Sequence, residues 1–420
     1  MKDETKCLHS GYTPQNSGPL VMPIVQSTTF VYDSTEDIGE VFDDPTKGLI
    51  YSRFANPTVM AVEEKIAALE CGAAAMLTSS GQAATMIALL NICNSGDSFI
   101  SVTQIYGGSI NLFSATLKKL NIECIFVSCE ASPEEIHAAF KPNTKAVFGE
   151  MIANPALSVF DIEKFASAAH SHNVPLIIDN TLASPFLCKP INYGADIIVH
   201  STTKYMDGHS LQVGGAIIDS GKFDWSAGKF PGLTEPDITY HGIVYTETYG
   251  NIAYIIKARM QLMRDIGAYP AAHSAFLLNL GLETLALRMQ RHCENGLKVA
   301  EFLKESEKIE SVSYPWLETD KYYPLAQKYL NGGSGVVSFI VKGGKANAVI
   351  FMDSLKLASN AIHVADIRTC VLHPATTTHR QVSEEQQILS GVSPGLVRMS
   401  VGIEHIDDII DDIKQALDKI

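Results

Sequence analysis

The chain reads as an α/β protein: a large domain built on a parallel-rich sheet, followed by a smaller C-terminal α/β domain. Three observations predict this. From about 61 to 265, short β-rich runs alternate with helical patterns, the signature of parallel βαβ units. The pattern predicts a helix over Ala61 to Glu70, a strand over Ala146 to Phe148, a helix near Ile162 to His172 and a strand over Pro175 to Ile178. Beyond about 266 the pattern changes to a long helical stretch around Ala271 to Glu305, then to strand-like runs at Val336 to Val341 and Leu396 to Val401. The third observation is the chain's end, where Ile406, Ile409, Ile410, Ile413, Leu417 and Ile420 fall on one face of a helix. The expected divisions are an N-terminal arm over 1–60, a large domain over 61–265 and a C-terminal domain over 266–420.

The arm is expected from Pro14, Pro19, Pro23, Pro45 and Pro57 and from the lack of periodicity around them. Arms of this kind embrace a partner subunit or cover a site. With 420 residues, 46% hydrophobic and 19% charged, the chain can bury one large core and a second smaller one. The uncharged run from Cys71 to Gly96 has the length of a membrane span. It is broken at Thr78-Ser79-Ser80-Gly81-Gln82, which suits a strand, a tight turn and a helix start in a soluble unit. No apolar run flanked by positive charge opens the chain, so no leader is expected. The eight cysteines form no Cys-x-x-Cys pair, and reduced thiols in a cytoplasmic protein are the plain expectation. A net charge of −14 argues against sequence-independent binding to nucleic acid. An anionic ligand would need a few local cations to hold it.

Three segments offer chemistry. In Ala195-Asp196-Ile197-Ile198-Val199-His200-Ser201-Thr202-Thr203-Lys204 a buried strand delivers hydroxyl groups and a lysine to the carboxyl edge of the sheet, where open α/β folds bind ligands. Ser201 and Thr203 suit a phosphate, and a desolvated Lys204 beside them can form a Schiff base with a carbonyl cofactor. A second strand ends in Asp179-Asn180-Thr181 at the same edge. Pyridoxal phosphate needs an acidic partner to keep its ring nitrogen protonated, and Asp179 fits that role. Third, Ser79-Ser80-Gly81-Gln82 opens a helix whose N–H groups and dipole can cradle a phosphate. Gly332-Gly333-Ser334-Gly335 fits no nucleotide-binding pattern and reads as a turn. His373 and His379 are six residues apart, a spacing that does not suit two ligands on one helix face, so no metal is expected and they are read as ordering a loop.

Tyr51-Ser52-Arg53 with Asn56-Pro57-Thr58, Ser80-Gly81-Gln82-Ala83-Ala84, Tyr106-Gly107-Gly108, Asn154-Pro155, Asp179-Asn180-Thr181 and Ser201-x-Thr203-Lys204-Tyr205 stand in the order seen in one family. Over nearly its whole length the chain resembles the Cys/Met-metabolism family of pyridoxal-phosphate enzymes. Leu233 to Asp237, Tyr240 to Tyr245, His373 to His379 and Leu396 to Glu404 are similar to the family's O-acetylhomoserine sulfhydrylase branch. The resemblance implies fold type I, the aspartate-aminotransferase-like fold, with pyridoxal 5'-phosphate (PLP) as cofactor. It implies that Gly81, Gln82, Ser201 and Thr203 hold the phosphate, joined by Tyr51 and Arg53 from a neighbouring subunit, with Thr181 among the cofactor contacts. Tyr106 would stack on the ring and assist the leaving group, Asn154 would bond the ring hydroxyl, and Lys204 would carry the proton transfers. Arg398 would pair with the substrate carboxylate, with Tyr51 and His363 also at the substrate. The implied reaction is γ-replacement on O-acetylhomoserine by sulfide or methanethiol, giving homocysteine or methionine. Methionine γ-lyase and cystathionine γ-synthase chemistry are the alternatives, and a homotetramer of shared-site dimers is the implied assembly. Two departures stand out: His363-Val364-Ala365 replaces the branch's Asn-Val-Gly step, and Gly108 stands where γ-lyases carry a cysteine.

Overall fold

The structure is a computed structural model that describes residues 1–44, 46–377, 380 and 393–420. Seven strands form the main sheet: β1 (Ala74–Thr78), β2 (Ser98–Val102), β3 (Glu123–Val127), β4 (Thr144–Glu150), β5 (Leu176–Asp179), β6 (Ile197–His200) and β7 (Gly215–Asp219). Their order is β1-β7-β6-β5-β4-β2-β3. Five of them, from β6 to β3, run parallel to one another, and β7 is antiparallel to both of its neighbours, β6 and β1. The second sheet, in the order β10-β11-β12-β9-β8, contains β8 (Ile309–Ser313), β9 (Val336–Val341), β10 (Ser359–Asn360), β11 (Cys370–Leu372) and β12 (Leu396–Ser400).

Helices cover both faces of the main sheet, which is why its central strands are apolar throughout rather than alternating. Leu176, Ile177, Ile178, Ile197, Ile198 and Val199 are all buried. Local signals account for the helix ends. The expected helix over Ala61 to Glu70 begins four residues earlier, at Pro57: Asn56 Oδ1 accepts the Thr58 N–H at 3.0 Å, and proline occupies the first turn. It stops at Cys71, whose φ of 62° is left-handed. The run from Cys71 to Gly96 resolves into strand, turn and the helix Gly81–Leu90, capped by Ser80 through the Ala83 N–H at 3.1 Å. No helix among the described residues is long and apolar enough to cross a membrane.

The long helical stretch is two helices, Ala272–Glu283 and Leu285–Glu305, broken at Thr284. The second of them serves both hydrophobic cores. Met289 belongs to the core under the main sheet and Val299 to the one under the second sheet, so a single rigid element joins them. The C-terminal helix Ile406–Leu417 lays Ile409, Ile413 and Leu417 against the second core. Residues 1–60 are less extended than their composition suggests. Asp3–His9 and Thr35–Asp43 are helical, and Cys7 packs into the main core. Apolar spacing over so few turns is too short to register in a sequence pattern. Between those helices the segment is open, with Leu20 84% and Val31 96% exposed.

The glycine-rich segment before β9 is more than a turn. It is the seam between the two sheets: the Gly335 N–H donates to Tyr205 Oη at 2.8 Å, and Tyr314 Oη donates to Ser334 O at 2.8 Å. A second tie comes from Arg288, buried on the long helix. Its Nη1 donates to Tyr205 O at 2.8 Å and its Nη2 to Gly281 O at 2.6 Å, while Nε donates to Thr284 Oγ1 at 3.1 Å. Burial pushes this guanidinium down to about 10. Arg288→Met would leave buried carbonyls unpaired, each costing about 1–3 kcal/mol. The expected result is a loss of about 3 kcal/mol in urea unfolding, with weakened retention of whatever Lys204, one residue from Tyr205, carries.

Candidate active site

One cleft of about 280 Å³ collects the carboxyl ends of β4, β5 and β6, the start of the Gly81–Leu90 helix and residues from the second sheet. Parallel strands deliver their terminal residues to a common edge, and the seam brings Ile362, His363, Val364 and Arg398 over it. Gly81, Gln82, Tyr106, Asn154, Asp179, Thr181, Ser201, Thr203, Lys204, His363 and Arg398 all line it. Tyr51 and Arg53 do not. Within one chain the Arg53 guanidinium lies 5.0 Å from the centre of the Tyr51 ring, on the arm.

The floor for an anion is made by close approach. A Cβ on Gly81 would stand 2.7 Å from Ser201 Cβ and 2.8 Å from its Cα, so only glycine lets the helix start meet the loop after β6. Helix N-termini carry unpaired N–H groups and partial positive charge, and here a serine hydroxyl stands beside them. The Ser201 N–H donates to Thr181 Oγ1 at 2.8 Å, which places Thr181 as a support for the loop. Thr203 is committed elsewhere. Its Oγ1 donates to Gly214 O at 3.2 Å and accepts from the Gly214 N–H at 3.0 Å, so it reaches a phosphate only by giving up the carbonyl bond.

Lys204 faces this floor. Burial, with the Arg398 charge nearby, brings its ammonium down to about 8. Across the cleft Asp179 ends β5, with Oδ1 accepting the Thr181 N–H at 2.9 Å. Burial raises its carboxyl above the usual range, so a cation placed against it would restore the charge. Glu150, at the end of β4, is a site residue that the sequence reading missed. It pairs in register with Asp179, and its Oε2 accepts the Tyr106 N–H at 2.6 Å, which fixes the start of the tyrosine's turn. Burial first, then Asp179 beside it, push the Glu150 carboxyl well above the carboxylate range, while backbone N–H donors at Tyr106 and Asn154 act the other way. The signal was present: Glu150 lies two residues beyond the predicted strand and four before Asn154.

Arg398 is 5% exposed and comes from β12. Its Nη1 donates to Asn154 Oδ1 at 3.0 Å and its Nη2 to the His363 carbonyl at 2.7 Å. Nε is buried without a partner, and Arg398 forms no ion pair among the described residues. The bond from Nη1 orients the Asn154 amide so that its nitrogen is left to donate. His373 lies outside the cleft and orders a loop, with Nε2 against Pro394 O at 2.8 Å and Nδ1 against Thr376 Oγ1 at 3.0 Å. Its companion in the motif, His379, lies outside the described residues.

These residues fit pyridoxal phosphate. The helix start and Ser201 suit the phosphate, Asp179 the ring nitrogen, Asn154 the ring hydroxyl and Lys204 the aldehyde. Two outcomes are expected. Gly81→Ala should weaken PLP retention at least about tenfold, measured by visible absorbance after gel filtration, because the contact it creates is with a neighbouring Cα and Cβ rather than a flexible tip. The rate at which apoprotein captures PLP should rise from neutral pH and level off above about 8, because only the neutral Lys204 amine attacks the aldehyde. An ordinary lysine, with its pKa near 10.4, would keep the rate climbing well beyond that point.

Comparison with known proteins agrees with this site. The family model described as Cys/Met metabolism PLP-dependent enzyme matches residues 4–418. An O-acetyl-L-homoserine sulfhydrylase of Leptospira meyeri is 44% identical, with 100% of this chain and 97% of that protein covered. A homocysteine synthase of Schizosaccharomyces pombe is 45% identical over 99% of this chain and 98% of that protein. A crystal structure from Campylobacter jejuni that carries N'-pyridoxyl-lysine-5'-monophosphate superposes with a TM-score of 0.96 at 35% identity, covering 100% of both chains. With a two-sheet fold of type I, a partly buried lysine and an aspartate lining one cleft, and a family match over nearly its whole length, the chain belongs to the Cys/Met-metabolism family of PLP-dependent enzymes.

Proposed function

We propose that the chain catalyses γ-replacement on O-acetylhomoserine, with sulfide or methanethiol as acceptor, giving homocysteine or methionine and acetate. The observation that carries the amino-acid part is Arg398, a buried guanidinium with no ion-pair partner among the described residues, in the same cleft as Lys204 and Asp179. A planar fork of this kind matches a carboxylate in two hydrogen bonds. The donor and acceptor are supported by the relatives named as sulfhydrylase and homocysteine synthase.

PLP, when bound, supplies an electron sink that makes the hydrogens on the α-carbon and then the β-carbon of the amino acid acidic. The protein's own groups do the rest. Arg398 holds the carboxylate and so fixes the α-carbon beside Lys204, whose ammonium, brought down to about 8, yields enough free amine near neutral pH to take and return protons there. Asp179 holds a proton at the ring nitrogen. Tyr106, half exposed in the cleft lining, would stack on the ring and assist the departure of the acyl group. Gly108 keeps that tyrosine in place: a Cβ there would stand 2.4 Å from Tyr106 Cε1 and 2.6 Å from Gln82 Nε2. The lack of the lyase-type cysteine at this position favours the replacement reading over a γ-lyase.

Tyr51 and Arg53 are assigned to the phosphate of a neighbouring subunit's site, within a homotetramer of shared-site dimers. Their place outside their own cleft and the exposed apolar arm around them support this. The small-molecule substrates and the acidic surface are consistent with a cytoplasmic enzyme.

Purified protein with O-acetylhomoserine and sulfide should form homocysteine much faster than methionine alone forms α-ketobutyrate. Keto acid predominating at saturating sulfide would move the assignment to a γ-lyase, and turnover only with cysteine to a cystathionine synthase. Lys204→Ala should abolish both activity and the borohydride-reducible chromophore. Mixed oligomers of Arg53→Ala and Lys204→Ala subunits, each inactive alone, should recover part of the activity. No recovery in demonstrably mixed oligomers would mean that each site is built within one chain.

A further inference from the structure

Behind the cleft lies a buried polar cluster that the reaction described above does not use. Glu70 ends the helix Pro57–Glu70 and is 0% exposed. Its Oε1 accepts His200 Nε2 at 2.5 Å and Asn180 Nδ2 at 2.8 Å, and the Asn180 amide also donates to Cys188 O at 3.0 Å. His200 is the last residue of β6 and Asn180 follows the last residue of β5, so one carboxyl group grips the ends of both strands. The residues next to them carry the site: Asp179 before Asn180, Thr181 after it, and Ser201 after His200. Neither His200 nor Asn180 lines the cleft, because side chains alternate along a strand and theirs fall on the other face from Asp179.

Local structure does not call for an acid at position 70. The C-terminal end of a helix carries partial negative charge, which disfavours a carboxylate there. Burying a carboxylate is costly unless it is paired, and Glu70 Oε2 is buried with no partner. An apolar residue would fill the space without either penalty. Groups kept against local preference mark functional sites, and what Glu70 contributes is found on its partner. Burial raises the Asp179 carboxyl; its bonds from Thr181 act the other way, and so does the charge on His200. His200 thus acts, across the strand ends, on the acid assigned to the ring nitrogen of the cofactor.

We propose that Glu70 and His200 are positioning residues, a buried ion pair whose cationic end stands behind Asp179 and keeps it negatively charged against the protonated ring nitrogen of PLP. Glu70 balances the charge on His200, that charge favours the aspartate, and the aspartate favours the pyridinium. Neither residue touches the cofactor or moves a proton. The inference rests on Asp179 as the ring partner and is independent of which γ-substituent leaves or which thiol enters. A glutamine at position 70 separates charge from shape: its amide oxygen can still accept from His200 and Asn180, but the negative charge is gone.

The test measures the affinity of folded apoprotein for PLP and for its analogue with C–H in place of the ring nitrogen, by absorbance, with no substrate present. The wild type should prefer PLP. Glu70→Gln and His200→Gln should each shrink that preference about tenfold, the size of a one-unit change in the ionisation of a group. A role confined to holding the strands together would weaken both cofactors equally, so an unchanged ratio in both variants would overturn the proposal. Two variants on opposite sides of the pair keep the comparison available when one of them fails to fold, which a melting curve of each apoprotein shows. With PLP labelled with nitrogen-15 in the ring, the bound cofactor's ring-nitrogen signal should move toward the unprotonated position in both variants, and a signal at the wild-type position in both would also overturn it. Asp179→Asn should abolish the preference for PLP; a full preference in that variant would overturn the ring partner and the proposal with it. Failure of the replacement reaction would appear instead as a wild type that prefers PLP and forms no homocysteine, which leaves the ratios, and the inference, standing.

Discussion

Lys204 and Arg398 share one cleft and neither forms an ion pair among the described residues, and the arrangement of the site follows from that constraint. Arg398 is buried and Lys204 partly so, water screens them poorly, and the Arg398 charge disfavours the charge on Lys204. Nature of the partner matters: Arg398 stays charged because carbonyl and amide oxygens from Asn154 and His363 solvate it in place of a carboxylate. Lysine gives way instead, and its ammonium drops into the range where a free amine is available. The unmatched charge that remains is complementary to an anionic amino acid bearing an electrophilic cofactor. A carboxylate supplied by the protein would have closed the site to its ligand.

Such a site exists only where two separately folded layers meet. Lys204 and Asp179 come from the main sheet and Arg398 from β12 of the second, so the distance between them is set by the seam. That seam is polar and specific: the Gly335 N–H on Tyr205, Tyr314 on Ser334, and Arg288 on the carbonyls around Lys204. Hydrogen bonds with fixed angles define a docking geometry more narrowly than apolar packing does. The helix Leu285–Glu305, shared by both cores, supplies the stiffness along the other axis.

On the acidic side, paired carboxyl groups divide their tasks by environment. Glu150 and Asp179 lie side by side at the ends of β4 and β5, and burial raises both. Glu150 accepts the Tyr106 N–H and so fixes the start of that turn. Asp179 is the one turned to the cleft, where a protonated ring nitrogen can pair with it. Like charges in one site are pushed apart in this way whenever one of them has a cation to meet.

Much of this was legible in the sequence because it is local. The βαβ alternation, the break at Ser79 to Gln82, and the hydroxyls and lysine that follow a buried strand are consequences of period and turn chemistry, and the ordered motifs carried the family. The strand over Val336 to Val341 was read to the residue. The short helices in residues 1–60 were not read, because their few apolar positions gain meaning only from the surface Cys7 packs on. Glu150 was passed over because a lone carboxylate after a strand is ordinary until register sets it beside Asp179. Gly332 to Gly335 looked like a turn because the sequence does not show what a glycine run packs against. The sequence by itself determined the elements, the edge on which they end and the residues that reach it. Tertiary structure alone decided that His363 joins Lys204 to Arg398, that Thr203 bonds Gly214, and that Tyr51 and Arg53 lie outside their own cleft. Those facts depend on distances between residues far apart in the chain, and such distances exist only once both cores have closed.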